Sequence, residues 1–288
     1  MPGYVKKNLS RFNHTAPLHP QNSPHPFSAI NYSIKQLMAV TDDSTKLEKD
    51  NITLLQQIIG VYLYYARAID STLLVTLSEL ASQQTQATEL TMQKANQMLD
   101  YLHTNSDFTL CFYASDMQLA IESDASYLSA YNARSRVGGY HYLTSSVTDP
   151  SKPAPPRNGA IHIISNILKN VVSSAAEAEI AATFINGQEG CPLIATLAEM
   201  GWKQDIVVIT TDNSTAEGFC NQTTKQKRTK AIDMRYYWIL DRCEQKQYKV
   251  IWRPGSSNYA DYFTKHHATE HHQAMRSEYQ HQNRTLIH

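Results

Sequence analysis

From Phe108 onward the chain alternates between strand-like and helix-like segments, and their order limits the folds that it can adopt. Short runs of β-branched and aromatic residues bounded by turn residues predict strands. They lie at 108–113, 119–124, 139–143, 159–164, 205–211 and 248–252. Helices are predicted at 173–187, 192–200, 213–222 and 229–244, and from Asn258 onward. Three antiparallel strands followed by alternating helices and strands predict a mixed α/β layer fold over residues 107–270.

The segments outside this region have a different character. Residues 1–30 are expected to form an extended arm, because residues 16–27 hold four prolines and proline interrupts both helices and sheets. Residues 31–106 predict a small helical unit, with helices from Asn51 as a cap and at 72–81 and 87–102. The first of these helices has an apolar face at Leu55, Ile58, Ile59, Tyr62 and Leu63. Residues 271–288 are expected to be a polar, histidine-rich tail.

Charge and cysteine usage narrow the function classes. Lys plus Arg and Asp plus Glu each number 26, so any attraction to nucleic acid has to come from a local basic patch. The four cysteines form no Cys-Xaa-Xaa-Cys pair, which argues against a zinc ribbon or a disulfide framework and indicates a cytoplasmic or nuclear location. No apolar run reaches the roughly 18 residues of a membrane span, so no membrane partner is expected.

Four acidic residues stand at positions where strand ends and helices can converge. Asp124 and Asp212 each end a predicted strand, Glu179 lies on an alanine-rich helix, and Asp261 lies near the start of the last helix. Converging carboxylates repel one another unless cations hold them, and hard oxygen ligands favour magnesium or manganese. Two such ions roughly 4 Å apart would serve phosphodiester hydrolysis without a nucleophilic side chain.

Each of these residues also has an ordinary structural explanation. Asp124 could belong to a turn, and Asp212 could cap the helix that follows it. Glu179 and Asp261 could be solvated helix carboxylates. Periodicity leaves the choice between Glu177 and Glu179 open, because two residues on a helix face about 200° apart and only one of them can point at the sheet.

Six motifs occur in an order that is typical of one family. They are Ser123-Asp-Ala-Ser-Tyr, Arg134-Ser-Arg-Val-Gly-Gly-Tyr, Ser173-Ser-Ala-Ala-Glu-Ala-Glu-Ile-Ala-Ala, Thr211-Asp-Asn-Ser-Thr-Ala, Lys227-Arg-Thr-Lys-Ala-Ile-Asp-Met-Arg and Ala260-Asp-Tyr-Phe-Thr-Lys. In this order they resemble the ribonuclease H region of a copia-type (Pseudoviridae-like) retrotransposon Pol polyprotein. The resemblance implies a ribonuclease H-like mixed five-stranded sheet flanked by helices, and a metal-dependent endonuclease that cuts the RNA strand of RNA–DNA hybrids.

The resemblance also implies the site. Asp124, Glu179, Asp212 and Asp261 would be the catalytic residues and would bind two Mg²⁺ ions, with Mn²⁺ as the alternative. A Glu-Xaa-Xaa-Ala setting, completed by Ala182, selects Glu179 over Glu177.

Upstream of the motifs, residues 59–70 resemble the stretch that follows the polymerase palm in these elements. Residues 31–106 would then be the reverse-transcriptase thumb or connection. The sequence contains no Tyr-Xaa-Asp-Asp motif of the palm, so DNA synthesis by this chain alone is not expected. The implied partners are the RNA–DNA hybrid and the upstream polymerase part of Pol, in a virus-like particle if the parent element is active.

Candidate nucleic-acid contacts come from basic and polar residues. Phosphate contacts are predicted for two groups of cations, Lys225, Lys227, Arg228 and Lys230, and Arg134 and Arg136. Asn213 and Ser214 are candidates for contacts with 2′ hydroxyls. Helical spacing could pair the remaining cluster, His266, His267, His271 and His272, for zinc, but no carboxylate or cysteine completes an obvious site, and a solvated tail is expected.

Two further functions stay open at this level. The chain could bind nucleic acid without cutting it, or it could be an inert transposon remnant. Hydrolysis of a labelled hybrid with and without magnesium separates these from the nuclease.

Overall fold

The structure, a computed structural model, describes residues 1–27, 42–106, 108–130, 133–145, 157–223 and 233–282. The chain divides into two compact units. One, here called the helical unit, comprises Met1–Cys111, Tyr131–Ala133 and His266–His288. The other, the sheet unit, comprises Phe112–Ala130 and Arg134–Lys265. None of the helices in the described ranges combines the length and apolarity needed to cross a lipid bilayer.

The sheet unit is built on one five-stranded mixed sheet, which confirms the predicted fold class. Its strands are β2 (Gln118–Ala130), β3 (Arg134–Thr144), β4 (Ala160–Ile167), β5 (Val207–Thr211) and β6 (Tyr248–Trp252). Their order across the sheet is β4-β3-β2-β5-β6. The first three strands pair antiparallel, as predicted, whereas β2, β5 and β6 run parallel.

A long helix and a short one cover opposite faces of the central strands. Residues Ala175–Glu199 form α5, and Ser123 of β2 contacts it by accepting a hydrogen bond from Asn186 Nδ2 to its hydroxyl at 3.0 Å. On the other face, the 3-10 helix Tyr259–Thr264 packs against Gly138 of β3, where an added Cβ would lie 2.3 Å from the Ala260 carbonyl oxygen. The predicted last helix is therefore present, but as a 3-10 helix. The successive residues Gly138 and Gly139 of β3 therefore face two different layers, the 3-10 helix and α5.

The helix α5 corrects one prediction, since the sequence indicated separate helices at 173–187 and 192–200. The structure has a single helix with Pro192 inside it. Proline removes one backbone donor, but the buried face continues on both sides of it, at Phe184 and Leu197. Burial of that face keeps the helix in one piece. Ser174 caps its start by accepting from the Glu177 backbone N–H at 3.1 Å.

The predicted strand at 108–113 is wrong for most of its length. Only Phe108–Thr109 is a strand, β1, and it pairs antiparallel with β7 (His281–Gln282) in a separate two-stranded sheet. Phe112 and Tyr113 are exposed, and the Tyr113 backbone N–H donates to the Asn158 side chain at 2.8 Å. A side chain thus replaces the strand partner that the pattern suggested.

Helices in the second half of the sheet unit are shorter than predicted. They are α6 (Ser214–Cys220) and α7 (Tyr237–Glu244), the latter preceded by a 3-10 turn at Met234–Tyr236. Residues 229–232 of the predicted helix lie outside the described residues.

The helices of the helical unit come from chain segments that precede and follow the sheet unit in the sequence. They are α1 (Tyr4–Arg11), α2 (Lys49–Ala68), α3 (Leu74–Gln83), α4 (Glu89–Thr104) and α8 (Thr269–Tyr279). The predicted face of α2 is buried except at Leu63, which is exposed. The helix begins at Lys49, so Glu48 rather than Asn51 holds the N-cap position, without a capping hydrogen bond from its side chain. Thr88 caps α4 with a capping box that includes Thr91.

At both ends of the helical unit, the structure differs from the sequence predictions. The arm is not extended over Tyr4–Arg11, because Val5 and Leu9 give that helix a buried face. Residues 12–27 hold no helix or strand, as the prolines predict, although His25 is buried. The histidine-rich tail is not uniformly solvated, because it forms α8 and His272 in it is only 2% exposed.

Close packing of α5 on the sheet gives a first test at Gly139 in β3. A Cβ at this position would lie 1.9 Å from Asn186 Oδ1, so Gly139→Ala should destabilise the sheet unit by about 1–3 kcal/mol. All three tryptophans lie in the sheet unit, at Trp202, Trp238 and Trp252, so urea unfolding followed by their fluorescence measures the effect.

Gly60 in the middle of α2 provides the control. Space around it is open, so Gly60→Ala should stabilise its helix by about 0.5–1 kcal/mol in far-ultraviolet circular dichroism. An unchanged fluorescence midpoint for Gly139→Ala would contradict the packing described for α5.

Candidate functional site

Parallel pairing of β2 and β5 brings two aspartates to one edge of the sheet. The last register pair of these strands joins Glu122 to Thr210. Asp124 and Asp212 each lie two residues beyond that pair, on neighbouring parallel strands. Both therefore come to the carboxyl end of the central strands. Asp124 itself remains in β2 and pairs with Gly138 of β3.

Glu179 joins these aspartates from the first part of α5. Ligand oxygens of Asp124, Glu179 and Asp212 all lie within 4.8 Å of one another. Asp124 is 4% exposed and Glu179 is 7% exposed, whereas Asp212 is half-buried. The group thus opens to solvent on the Asp212 side.

The two oxygens of Glu179 have different surroundings. Oε1 accepts a hydrogen bond from the Ala125 backbone N–H at 3.3 Å. Oε2 is buried, and none of the described residues donates a hydrogen bond to it. A buried carboxylate oxygen without a donor is costly unless a cation occupies the space beside it. The residues present therefore fit a hard divalent cation.

The structure also separates Glu179 from Glu177, which periodicity could not do. Glu177 Oε2 accepts from both the backbone N–H and the hydroxyl of Ser173, each at 2.7 Å. Its carboxylate thus closes the start of α5 and lies outside the carboxylate group. Glu179 is the member of the pair that joins the aspartates.

Burial and the proximity of other carboxylates raise the pKa values of all three members of the group. Burial, followed by the charges of Asp261 and Asp212, raises the pKa of Asp124 to about 8. Burial, followed by the charges of Asp124 and Asp212, raises the pKa of Glu179 to about 10. Burial and the charge of Asp261 also raise the pKa of Asp212. Without a cation, the group therefore retains protons at neutral pH.

Asp261 is the fourth predicted carboxylate, and its charge acts on Asp124 and Asp212 from the neighbouring 3-10 helix. Lys265 forms an ion pair with it, with Nζ 2.6 Å from Oδ1. Asn258 caps the 3-10 helix and donates from Nδ2 to the Ser123 carbonyl oxygen at 3.0 Å. This hydrogen bond ties the helix that carries Asp261 to the strand that carries Asp124.

A second network, not predicted from the sequence, holds the same 3-10 helix. Glu122 of β2 accepts from the Tyr259 backbone N–H and from Arg157 Nε, the latter at 3.0 Å. The Arg157 guanidinium lies 3.6 Å from the centre of the Tyr259 ring and also donates to the Ser257 carbonyl oxygen. Neither Glu122 nor Arg157 shows a sequence signal beyond its charge, so only the fold reveals their partnership.

Two residues beside Asp212 were also missed. Trp252 donates from its indole N–H to the Asp212 carbonyl oxygen at 2.8 Å. Gly255 approaches so closely that an added Cβ would lie 2.5 Å from Asp212 Oδ2. The sequence signal that could have revealed this position is a glycine in the six-residue loop 253–258, shortly before Asp261. The close approach explains why the residue is glycine, because any side chain there would displace the Asp212 carboxylate.

The predicted nucleic-acid contacts have mixed outcomes. Lys225, Lys227, Arg228 and Lys230 lie outside the described residues. Arg136 is 2% exposed in a strand with partners on both sides, so its predicted phosphate contact is wrong for this conformation.

The other three candidates remain at least partly accessible. Arg134 is half-buried and donates to the Lys169 carbonyl oxygen at 3.0 Å. Asn213 Oδ1 caps α6 by accepting from the backbone N–H groups of Thr215 and Ala216. Ser214 is exposed.

The chain matches one part of a much longer retroelement protein. It is 31% identical over 168 residues to the retrovirus-related Pol polyprotein from transposon TNT 1-94 of Nicotiana tabacum. The match covers 58% of this chain and 12% of the length of that protein. It confirms the resemblance to a copia-type Pol polyprotein. No family model matches the chain.

Similar solved structures include ribonucleases H and a viral polymerase. LC11 ribonuclease H1 from compost gives a TM-score of 0.37 at 14% identity, over 51% of this chain and 93% of its own. The PFV ribonuclease H domain gives 0.34 at 17% identity, over 51% and 92%. The foamy viral protease-reverse transcriptase, in complex with RNA/DNA hybrid, gives 0.42 at 12% identity, over 75% and 26%.

The raised carboxylate pKa values predict how stability depends on pH. The folded state keeps protons that the unfolded chain releases above about pH 4. In chelator-treated protein, this contribution to stability is complete below that pH and is lost as the pH rises through about 8, the pKa of Asp124. Asp124→Asn removes one titrating group and should raise the free energy of unfolding at pH 8 by more than about 1 kcal/mol.

Urea unfolding at pH 5 and pH 8, followed by tryptophan fluorescence, measures this difference. Added Mg²⁺ should stabilise the wild-type protein at pH 8 more than the variant. Equal pH dependence in the two proteins would show that Asp124 does not carry a raised pKa.

Proposed function

We propose that the sheet unit is a metal-dependent endonuclease of the ribonuclease H type that cuts the RNA strand of RNA–DNA hybrids. The observation that carries the proposal is the group of Asp124, Glu179 and the half-buried Asp212, with ligand oxygens within 4.8 Å of one another. Carboxylates that share so small a space require cations to be charged together. The match to a retrotransposon Pol polyprotein supports the choice of substrate.

Asp124, Glu179, Asp212 and Asp261 would hold the ions, for which Mg²⁺ is the first choice and Mn²⁺ the second. When bound, two such ions supply an activated water for attack on the phosphate and stabilise the departing 3′ oxygen. The chain's own contribution is to fix its carboxylates before the substrate arrives.

Fixed neighbours hold three of these carboxylates in place. The Ala125 N–H holds one oxygen of Glu179 and leaves the other for an ion. Lys265 orients Asp261 through their ion pair. Trp252 anchors the backbone at Asp212. Carboxylates restrained in this way lose little freedom when cations bind, which favours binding.

Recognition of the hybrid would use polar and basic groups outside the carboxylate group. Ser214 is exposed two residues after Asp212, so its hydroxyl is suited to a 2′ hydroxyl. Asn213 uses Oδ1 for the helix cap, which leaves its amide group as the donor. Phosphate contacts would come from Arg134 and from the lysine-rich segment that holds Lys225, Lys227, Arg228 and Lys230.

We further propose that the helical unit is the thumb or connection of a reverse transcriptase and associates with the upstream polymerase part of Pol. The support for this proposal is the resemblance of residues 59–70 to the stretch that follows the polymerase palm in copia-type elements. Its place would be the cytoplasm or nucleus, or a virus-like particle if the parent element is active.

The neighbouring glutamates of α5 provide a matched pair for testing catalysis. Glu179→Gln should lower magnesium-dependent cleavage of a labelled hybrid by more than the roughly 10–100-fold that outer-shell changes cost. Glu177→Gln carries the same chemical change two residues away, outside the carboxylate group, and should keep near wild-type cleavage. Circular dichroism confirms that both variants fold.

Equal activity of Glu179→Gln and the wild-type protein would refute the site. Absence of cleavage by the wild-type protein at every magnesium and manganese concentration, with hybrid binding retained, would favour the non-catalytic binding protein.

The lysine-rich segment is tested by the salt dependence of binding. Lys227→Ala and Arg228→Ala should each weaken hybrid binding and reduce the slope of log affinity against log salt by about 1. Lys203→Ala is the control, because Lys203 is exposed and precedes β5, at the opposite edge of the sheet from Asp212. If all three variants lower the slope equally, the segment has no particular role in binding.

A further inference from the structure

We infer that His25, Glu79 and His266 form a second metal site, in the helical unit, suited to Zn²⁺ or a similar transition-metal ion. The three residues each offer a ligand atom, and these atoms lie within 4.8 Å of one another. All three belong to the helical unit. The site is separate from the four carboxylates, which belong to the sheet unit, so the two proposals stand or fall independently.

The three residues come from distant parts of the sequence. His25 lies in the proline-rich segment, Glu79 lies on α3, and His266 lies between the 3-10 helix Tyr259–Thr264 and α8. His25 is 7% exposed and Glu79 is 9% exposed, and His266 is partly exposed. Two imidazoles and a carboxylate that converge in a largely dry space are a ligand set typical of zinc.

The hydrogen bond of His25 Nδ1 leaves the Nε2 lone pair available for a metal ion. Its Nδ1 lies 2.6 Å from the Pro26 carbonyl oxygen, which can only accept, so Nδ1 carries the proton. Nε2 is then a lone-pair donor, 3.5 Å from Glu79 Oε1. It is buried, and no hydrogen bond from the described residues reaches it. A histidine that donates its other ring N–H to a backbone carbonyl is the usual arrangement of a metal ligand.

The two carboxylate oxygens of Glu79 have different partners. Lys94 Nζ lies 2.7 Å from Oε1, whereas His266 Nε2 lies 2.6 Å from Oε2. Lys94 can therefore keep its oxygen while Oε2 binds an ion. The contact between His266 and Oε2 is the hydrogen bond that an ion would replace.

The stacked rings of the two histidines also favour an ion over a simple ion pair. Their centroids are 3.6 Å apart, and the ring planes differ by 9°. Two protonated imidazoles stacked at this distance, with Lys94 near, would repel one another. Two neutral rings that present Nε2 to one shared ion avoid this repulsion. With zinc–nitrogen bonds of about 2.0–2.1 Å, neighbouring ligands lie roughly 3.3 Å apart, so His266 Nε2 and Glu79 Oε2, which lie 2.6 Å apart, would separate slightly when an ion binds.

An ion here would join the proline-rich segment to α3 and to the segment before α8. Because the ligands are 54 and 187 residues apart along the chain, it would link parts of the helical unit that share no secondary structure. Metal binding would then contribute to the folding of that unit. The three protein ligands leave a fourth position for water.

The test measures zinc binding by the full chain after chelator treatment. Calorimetry with Zn²⁺, and visible absorption with Co²⁺ as a spectroscopic substitute, should show one site that His25→Gln and His266→Gln each weaken by at least about 10-fold. Zn²⁺ should raise the melting temperature of the wild-type protein but of neither variant.

Two control variants separate other sources of zinc binding. His267 and His271 form a second histidine pair, with ring centroids 4.7 Å apart, so the double variant His267→Gln/His271→Gln should retain the site. Asp124→Asn/Asp212→Asn removes ligands of the carboxylate group and should also retain it. Loss of the site in either double variant but not in His25→Gln would overturn the assignment.

Folding of the variants has to be distinguished from loss of the ligand. His25→Gln should keep the circular dichroism spectrum of the metal-free wild-type protein. If the wild-type protein binds no Zn²⁺ and shows no Co²⁺ absorption, the three side chains form an ion-pair cluster only and the inference is wrong. Cleavage of the hybrid decides the proposed nuclease separately.

Discussion

Repulsion among buried carboxylates is the constraint on which the sheet unit depends. Parallel pairing of β2 and β5 places Asp124 and Asp212 at one edge, and α5 adds Glu179 to them. Three carboxylates within 4.8 Å of one another cost free energy when they are charged, and burial raises that cost. Without metal, this repulsion lowers the stability of the sheet unit, and bound cations would relieve it. Such a cost in stability is expected at a functional position.

Much of the surrounding structure serves to hold this arrangement. The 3-10 helix that carries Asp261 could not approach β3 if Gly138 had a side chain. Asn258 and Tyr259 then tie that helix to β2 through two hydrogen bonds, to the Ser123 carbonyl oxygen and to Glu122, and Arg157 bridges Glu122 to the Ser257 carbonyl oxygen. Since β2 also carries Asp124, the two aspartates are fixed by a shared support. Carboxylates positioned through a common strand keep their spacing better than carboxylates on independent loops.

The sequence predicted the sheet, the antiparallel strands of its first half and the strand-end positions of Asp124 and Asp212, because periodicity and strand ends are local signals. The sequence predictions were wrong where contacts between residues distant in the sequence determine the local structure. Pro192 lies within one helix because burial continues across it, and Phe112 stays exposed because Asn158 satisfies the neighbouring backbone. Arg136 was assigned to the surface from its charge alone, although its strand lies inside the sheet. Glu177 and Glu179 were separated only by the family motif until hydrogen bonds to Ser173 settled their geometry.

The helical unit is split along the chain, with its first part ending at Cys111 and its last part beginning at His266. During synthesis on a ribosome, the whole sheet unit is made before α8. Because domains generally fold as units while the chain is still being made, the sheet unit can fold before the helical unit is complete. The hydrogen bond between Tyr101 and His272 cannot form until His272, 171 residues later in the chain, has been made. A nascent chain stalled within the sheet unit would therefore leave Tyr101 of α4 without the His272 ring that lies against it in the complete protein.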